Sequence, residues 1–103
     1  GHALVTDFVK EGVNVTGLNN PDNLALDLDG NLWIAEDNAP GDIWLATTGA
    51  GGLASTVSRF ASLSDCSAEP TGIYFDPTNE KLWVNVQHAG APLGNDLTVE
   101  ISR

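Results

Sequence analysis

Basic residues are scarce in this chain, and their scarcity excludes whole classes of partner. Only 4 of the 103 residues are Lys or Arg, against 14 that are Asp or Glu, so the formal net charge is −10. Nucleic acids and anionic membrane surfaces are bound by clustered positive charge, and neither is an expected partner. The acidic excess suits hard cations such as calcium, although acidity also serves simply to keep a protein soluble.

Other absences remove further kinds of site. The chain has no methionine and a single cysteine, Cys66, so no internal disulfide can form. One cysteine and two histidines give no zinc-ligand spacing, and no apolar run approaches the length of a membrane span. Neither a Ser-His-Asp triad nor a phosphate-cradling glycine loop is assignable. The sequence therefore leaves the catalytic residues unidentified.

An internal repeat is the main feature that the chain does have. Residues 21–34 return as residues 70–84, and each copy runs from a proline through a polar turn to a strand with tryptophan. A period of about fifty residues is typical of propellers and solenoids. We therefore predict an all-β fold with about two blades of a β-propeller, built from antiparallel sheets. Trp33 and Trp83 are repeat-equivalent and are expected between blades, whereas Trp44 could face an outer edge.

Short apolar runs between turn residues predict the strands. These runs lie at residues 4–9, 24–27, 32–36, 43–46, 57–61, 73–75, 82–87 and 97–101. Residues 1–2 are interpreted as a cloning scar and residues 3–103 as a single partial propeller domain, with repeat copies near 20–61 and 69–103. Two blades cannot close a ring, so we expect a fragment of a longer protein whose exposed blade edges favour self-association.

The polar segment 27–31 of the first copy contains alternate acidic residues, as calcium loops do. Its spacing fails the EF-hand pattern, because Leu32 and Asn38 stand where that pattern needs Gly and Glu. Asp-Gly between two apolar runs is itself a hairpin signal, so we predict a turn.

Polar residues also follow the tryptophan strands, where a blade would reach the mouth of the central channel. Glu36 and Asp37 follow the first of these strands, and Gln87 and His88 hold the equivalent positions after the second. Side chains at equivalent strand ends would face one another across a site, and solvated loops are the equal alternative.

A second polar group precedes the first strand of each copy, at the same end of the blade. It contains Asp22 and Asn23 in the first copy, and Glu69 and Thr71 in the second. Turn formation is the alternative for Asp22 and Asn23. Glu is not a favoured turn residue, so Glu69 is the stronger candidate for a hard-metal ligand.

Three blocks of this sequence resemble the PhoX-type alkaline phosphatases. They are residues 20–34, residues 68–77 with Glu-Pro-Thr-Gly, and residues 82–90, which end in Gln-His-Ala-Gly where that family has Gln-His-Pro-Gly. The first block is shared with gluconolactonase-like propellers. The pair formed by the second and third blocks is more specific, and Ala89 is the departure from the family pattern.

The resemblance implies a piece of an exported bacterial phosphomonoesterase, a six-bladed propeller with calcium and iron at its channel mouth. It implies Glu69 as a metal ligand, with Asp22 and Asn23 beside the metals, and a small-molecule phosphate ester as substrate of the full-length protein. It also implies a secreted or periplasmic location, and a chain that is inactive in isolation because most ligands lie in other blades. The alternatives are a non-catalytic scaffold or calcium-binding interaction module, and a lactonase-like propeller hydrolase.

Overall fold

A computed structural model describes residues 8–78, 80–90 and 94–102 of the chain. These residues form seven antiparallel strands. The strands are β1 (Pro21–Leu26), β2 (Leu32–Glu36), β3 (Asp42–Thr47), β4 (Thr56–Ser62), β5 (Glu69–Phe75), β6 (Lys81–Gln87) and β7 (Leu97–Ser102). They make one sheet in the order β1-β2-β3-β4 and a second in the order β5-β6-β7. The predicted all-β fold of about two blades is confirmed.

Strand boundaries depart most from the sequence prediction at the first strand of each sheet. β1 and β5 begin three to four residues earlier than predicted, so Asp22, Asn23, Glu69 and Thr71 lie within these strands rather than before them. Of the predicted strand 4–9, residues 4–7 lie outside the described residues and residues 8–9 form a bend. In the part of the chain that the structure describes, no helix is long and apolar enough to span a membrane.

The main core lies between the two sheets. Side chains of a strand alternate between its faces, so Trp33 and Ile43 of the first sheet meet Leu82 and Val84 of the second. The Trp33 ring is packed edge-on against Phe60, with ring centroids 4.7 Å apart. Such aromatic pairs add about 0.5–1.5 kcal/mol beyond the burial of their area. Trp33 therefore lies between the blades, as predicted, whereas Trp83 is only half-buried and lies on the face of β6 opposite to Leu82 and Val84.

The opposite face of the first sheet has a smaller core of its own. Ile34 and Trp44 pack there against Val15, which belongs to the segment of residues 8–18. Asn14 fixes this segment, because its Nδ2 donates to the Phe8 carbonyl at 2.8 Å. Trp44 is only 4% exposed, so the idea that it faces an outer edge is wrong.

Candidate functional site

The first strands of the two sheets, β1 and β5, meet at one end of the molecule. Asn23 Nδ2 donates a hydrogen bond across this junction to Thr71 Oγ1 at 3.1 Å. The same amide nitrogen lies 2.6 Å from Asp22 Oδ2, which accepts from it. Thr71, which lies 48 residues from Asn23 in the sequence, therefore shares one site with Asp22 and Asn23.

β-Bulges shape both strands at this junction. The pairing of β5 with β6 shifts register between Thr71 and Ile73, and that of β1 with β2 shifts between Pro21 and Asn23. Gly72 has a φ of +55° in the β5 bulge, and a Cβ there would lie 2.8 Å from Asn85 Nδ2. Bulges bend a strand and re-aim its side chains, and they are frequent beside active sites.

Glu69 is the centre of the second part of the site. It lies opposite Gln87 in the β5–β6 ladder, and Gln87 Nε2 donates to Glu69 Oε1. The His88 Nε2 atom lies 3.7 Å from the same oxygen. The Glu69 side chain is 16% exposed, whereas that of His88 is 69% exposed. One carboxylate oxygen therefore meets both an amide and an imidazole at the edge of solvent.

Neighbouring carboxylates shift the titration of Glu69. Its pKa is raised, first because burial disfavours its charge, and then because Asp37 hydrogen-bonds to it and repels it. Asp22 adds to the repulsion, whereas His88 acts in the opposite direction. Asp22, Asp37 and Glu69 thus form a carboxylate cluster drawn from both sheets. A bound cation would offset the repulsion among these like charges.

The carboxylate cluster has oxygen donors of the kind that hard cations prefer. Within residues 8–78, 80–90 and 94–102, however, no three Asp, Glu, His or Cys side chains stand close enough together to hold a metal ion. The chain therefore offers donors of suitable chemistry without a full protein coordination shell.

The loop that bears His88 is fixed on three sides. The His88 N–H donates to Asp96 Oδ1 at 3.0 Å, and its carbonyl accepts from Ser67 Oγ at 2.9 Å. The Gly90 N–H donates to Asp65 Oδ2 at 2.7 Å. These bonds hold His88 at a φ of +60°, which non-glycine residues rarely adopt.

Sequence reasoning missed the loop anchors Asp65, Ser67 and Asp96. Asp65 accepts from both the backbone N–H and the hydroxyl of Ser67, and with the Gly90 N–H these bonds lower the pKa of Asp65. An Asp followed two residues later by Ser is a local turn pattern, so the turn itself was readable from the sequence. The contact of this turn with the His88 loop was not readable from the sequence, because the two segments are distant in the chain.

Glu36 is the one predicted site-lining residue that the structure does not bring to the carboxylate cluster. It is 3% exposed, and its Oε1 accepts from Trp44 Nε1 and from the Asn19 N–H, both at 2.9 Å. Its side chain lies on the face covered by residues 8–18. The next residue, Asp37, lies just beyond the end of β2 and is close enough to Glu69 to raise its pKa.

The chain was compared with known proteins. The model of a protein family described as "Alkaline phosphatase PhoX" matches residues 2–90 of the 103-residue chain. The matched segment includes all three members of the carboxylate cluster and the His88 loop. No curated protein and no solved structure matches the chain.

Proposed function

Because this chain belongs to the alkaline phosphatase PhoX family, we propose that it supplies part of the metal centre of a phosphate monoesterase. The family match supports alkaline phosphatase activity as a function of the family. The observation that carries the proposal for this chain is the carboxylate cluster, where Asp37 and Asp22 lie near enough to Glu69 to raise the pKa of its carboxyl group. Two carboxyl groups this close repel one another when both are charged, and a cation relieves that repulsion.

Calcium is the proposed occupant, with Glu69 as its ligand from this chain and with Asp22, Asn23 and Asp37 beside it. Its usual ligands are carboxylate, carbonyl and water oxygens, which is the donor chemistry at this junction. By family resemblance we also propose iron, with most of its ligands outside this chain. Bound metals would supply the positive charge that attracts and polarises phosphate oxygens.

The chain's own residues would orient the ligand and its surroundings. Gln87 donates to Glu69 Oε1 and so restricts the rotation of that carboxylate. Asp65, Ser67 and Asp96 hold the backbone of the His88 loop. The exposed imidazole of His88 is thereby kept at the mouth of the site, within reach of an anionic substrate.

We further propose that the chain is inactive on its own. Of the cations in the described residues, Arg59 is paired with Asp42 at 2.9 Å and Lys81 with Glu100 at 3.2 Å, so both are already neutralised by carboxylates. The substrate class is a small phosphate monoester. A secreted or periplasmic location is proposed on the family resemblance alone.

Calcium binding by the whole chain tests the proposal. Calcium should raise the unfolding midpoint followed by tryptophan fluorescence, because binding to the folded state stabilises by about 2.7 kcal/mol at a hundredfold excess over Kd. Glu69→Gln should reduce the calcium affinity at least tenfold. Glu80→Gln is the matched control, since it removes the same charge at the opposite end of β5 and β6. Equal calcium responses in the two variants would refute the assignment of Glu69.

A calcium-binding interaction module is the second candidate function. It is supported by the net charge of −10, because carboxylate-rich surfaces suit hard cations such as calcium. Addition of inorganic phosphate separates the two functions. A phosphatase metal centre should bind phosphate only when calcium is present, whereas an interaction module should bind calcium with no response to phosphate.

A further inference from the structure

Glu36 is a buried carboxylate at a place where the repeat does not need one. It lies opposite Pro21 in the β1–β2 ladder, and in the second sheet Val86 holds the same place opposite Pro70. Glu36 is 3% exposed and Val86 is 5% exposed, so both copies bury this position. A buried charge costs stability unless it is well bonded, and natural chains break such rules mainly at functional sites. The fold accepts an apolar side chain here, so the carboxylate serves more than packing.

The hydrogen bonds of Glu36 reach the turn that leads into β1 as well as Trp44. Glu36 Oε1 accepts from the Asn19 N–H and from the Trp44 indole, both at 2.9 Å. Its other oxygen, Oε2, accepts from Asn38 Nδ2 at 3.4 Å, and the same Nδ2 donates to the Asn19 carbonyl at 3.2 Å. Glu36 and Asn38 together therefore bind both the N–H and the carbonyl of Asn19.

Asn20, the second residue of this turn, has an uncommon backbone conformation. Its φ is +46°, in the left-handed region that residues other than glycine rarely adopt. Its Nδ2 donates to Asn38 Oδ1 at 3.0 Å, and its carbonyl accepts from the Asp37 N–H at 2.8 Å. Such conformations persist where the surrounding structure fixes them, and they are frequent at functional sites. The turn before β1 is thus bonded to the residues that follow β2.

We propose that Glu36 and Asn38 are positioning residues of the calcium site, a role that rests on the function proposed above. They hold the turn before β1 against the end of β2. Asp22 follows this turn and Asp37 is bonded to it, so the two carboxylates beside Glu69 are fixed relative to each other. A site that is ordered before its ligand arrives binds more tightly, because less ordering remains to be done on binding.

Two substitutions of Glu36 separate its hydrogen bonds from its charge. Glu36→Val and Glu36→Gln both remove one negative charge, but only the glutamine keeps an oxygen that accepts from the Asn19 N–H and the Trp44 indole. In titrations with calcium chloride, Glu36→Val should bind at least fivefold more weakly than the unmodified chain, and Glu36→Gln should bind within twofold of it. Equal losses in the two variants would mean that Glu36 acts through its charge alone, which would overturn the positioning role, as would full affinity in Glu36→Val.

Asn38→Ala tests the same hydrogen bonds without changing the net charge or the buried carboxylate. The Trp44 indole keeps its acceptor in this variant, so the core around Trp44 stays intact even if Glu36→Val fails to fold. The calcium affinity of Asn38→Ala should fall at least threefold. An affinity equal to that of the unmodified chain would remove Asn38 from the proposal.

Hydrogen exchange without calcium tests the positioning apart from the metal. The Asp37 amide should exchange at least tenfold faster in Glu36→Val and in Asn38→Ala, because its acceptor, the Asn20 carbonyl, would no longer be held. In Glu36→Gln it should exchange as slowly as in the unmodified chain. Equal protection of this amide in every variant would overturn the proposal. If the unmodified chain binds no calcium, the proposed function fails, and exchange of the Asp37 amide still decides whether Glu36 and Asn38 position that residue.

Discussion

At the scale of single residues, two aspartates make the hairpin turns of the repeat. Asp27 accepts from the backbone N–H groups of Asp29 and Asn31 and from Trp33 Nε1. Asp76, its repeat equivalent, accepts from the backbone N–H groups of Glu80 and Lys81. The repeated aspartate therefore serves turn formation in both copies, as the sequence predicted for the first.

We expect Asp27→Asn to destabilise the fold by about 1–3 kcal/mol in urea unfolding, because an amide NH₂ would replace an acceptor that buried donors need. Asp76→Asn is the comparison and should cost less, since Asp76 is more exposed and receives no indole bond. Equal losses would mean that the Trp33 indole bond adds nothing.

The hydrogen bonds that Asp27 accepts depend on pH, because they need its carboxylate to be charged. Burial raises the pKa of Asp27, but the hydrogen bonds from Trp33, Asn31 and Asp29 outweigh burial and lower it below the usual 3.8. The contribution of these Asp27 hydrogen bonds to folding stability is therefore complete above pH 3.8, and it is lost as pH falls through the lowered pKa of Asp27. Unfolding of Asp27→Asn should accordingly be less acid-sensitive than that of the unmodified chain.

At the scale of the elements, a close backbone contact joins the two sheets. The Gly41 N–H donates to the Ala68 carbonyl at 3.2 Å, and the Gly41 carbonyl accepts from the Leu63 N–H at 3.1 Å. A methyl group at Gly41 would overlap Pro70 Cδ at the start of β5. The glycine therefore sets how closely the loop before β3 approaches the strand that carries Glu69.

Gly41→Ala should cost about 1–3 kcal/mol by overpacking and should also weaken calcium binding, because it would displace β5. Gly51→Ala is the control: a Cβ there meets open space, but φ is +72°. That substitution should carry only the left-handed backbone cost of about 1–2 kcal/mol and leave calcium binding intact. Unchanged calcium affinity in Gly41→Ala would show that this contact does not position the site.

At the scale of the whole molecule, the charge of −10 opposes the compact state. Like charges repel one another more strongly in the folded chain than in the unfolded one, which destabilises the fold. Screening shortens the range of this repulsion from about 30 Å at 0.01 M salt to about 10 Å at 0.1 M. Salt and stability are therefore linked through the net charge.

The unfolding midpoint should rise as sodium chloride rises over this range, followed by tryptophan fluorescence, because salt screens the repulsion among the acidic side chains. A midpoint that falls as salt is added would contradict this account.

Much of the fold was predictable because strands and turns are set by neighbouring residues. The run of residues 32–36 predicted β2 with its observed bounds, and Asp-Gly at 29–30 predicted the turn before it. The early starts of β1 and β5 were missed because prolines and bulges at Asp22 and Gly72 interrupt the alternation that identifies a strand. The residues at these early strand starts, Asp22, Asn23, Glu69 and Thr71, belong to the candidate site.

The sequence by itself determined the repeat, the strand order and the kinds of side chain at the ends of the blades. Only the tertiary structure decided that Asp37 lies near Glu69 and that Glu36 accepts a hydrogen bond from Trp44 instead. It also decided that Asp65 and Asp96 hold the His88 loop. The reason is that alternation fixes the face of a side chain within its own strand. What that face meets depends on how two distant sheets pack, here around Trp33.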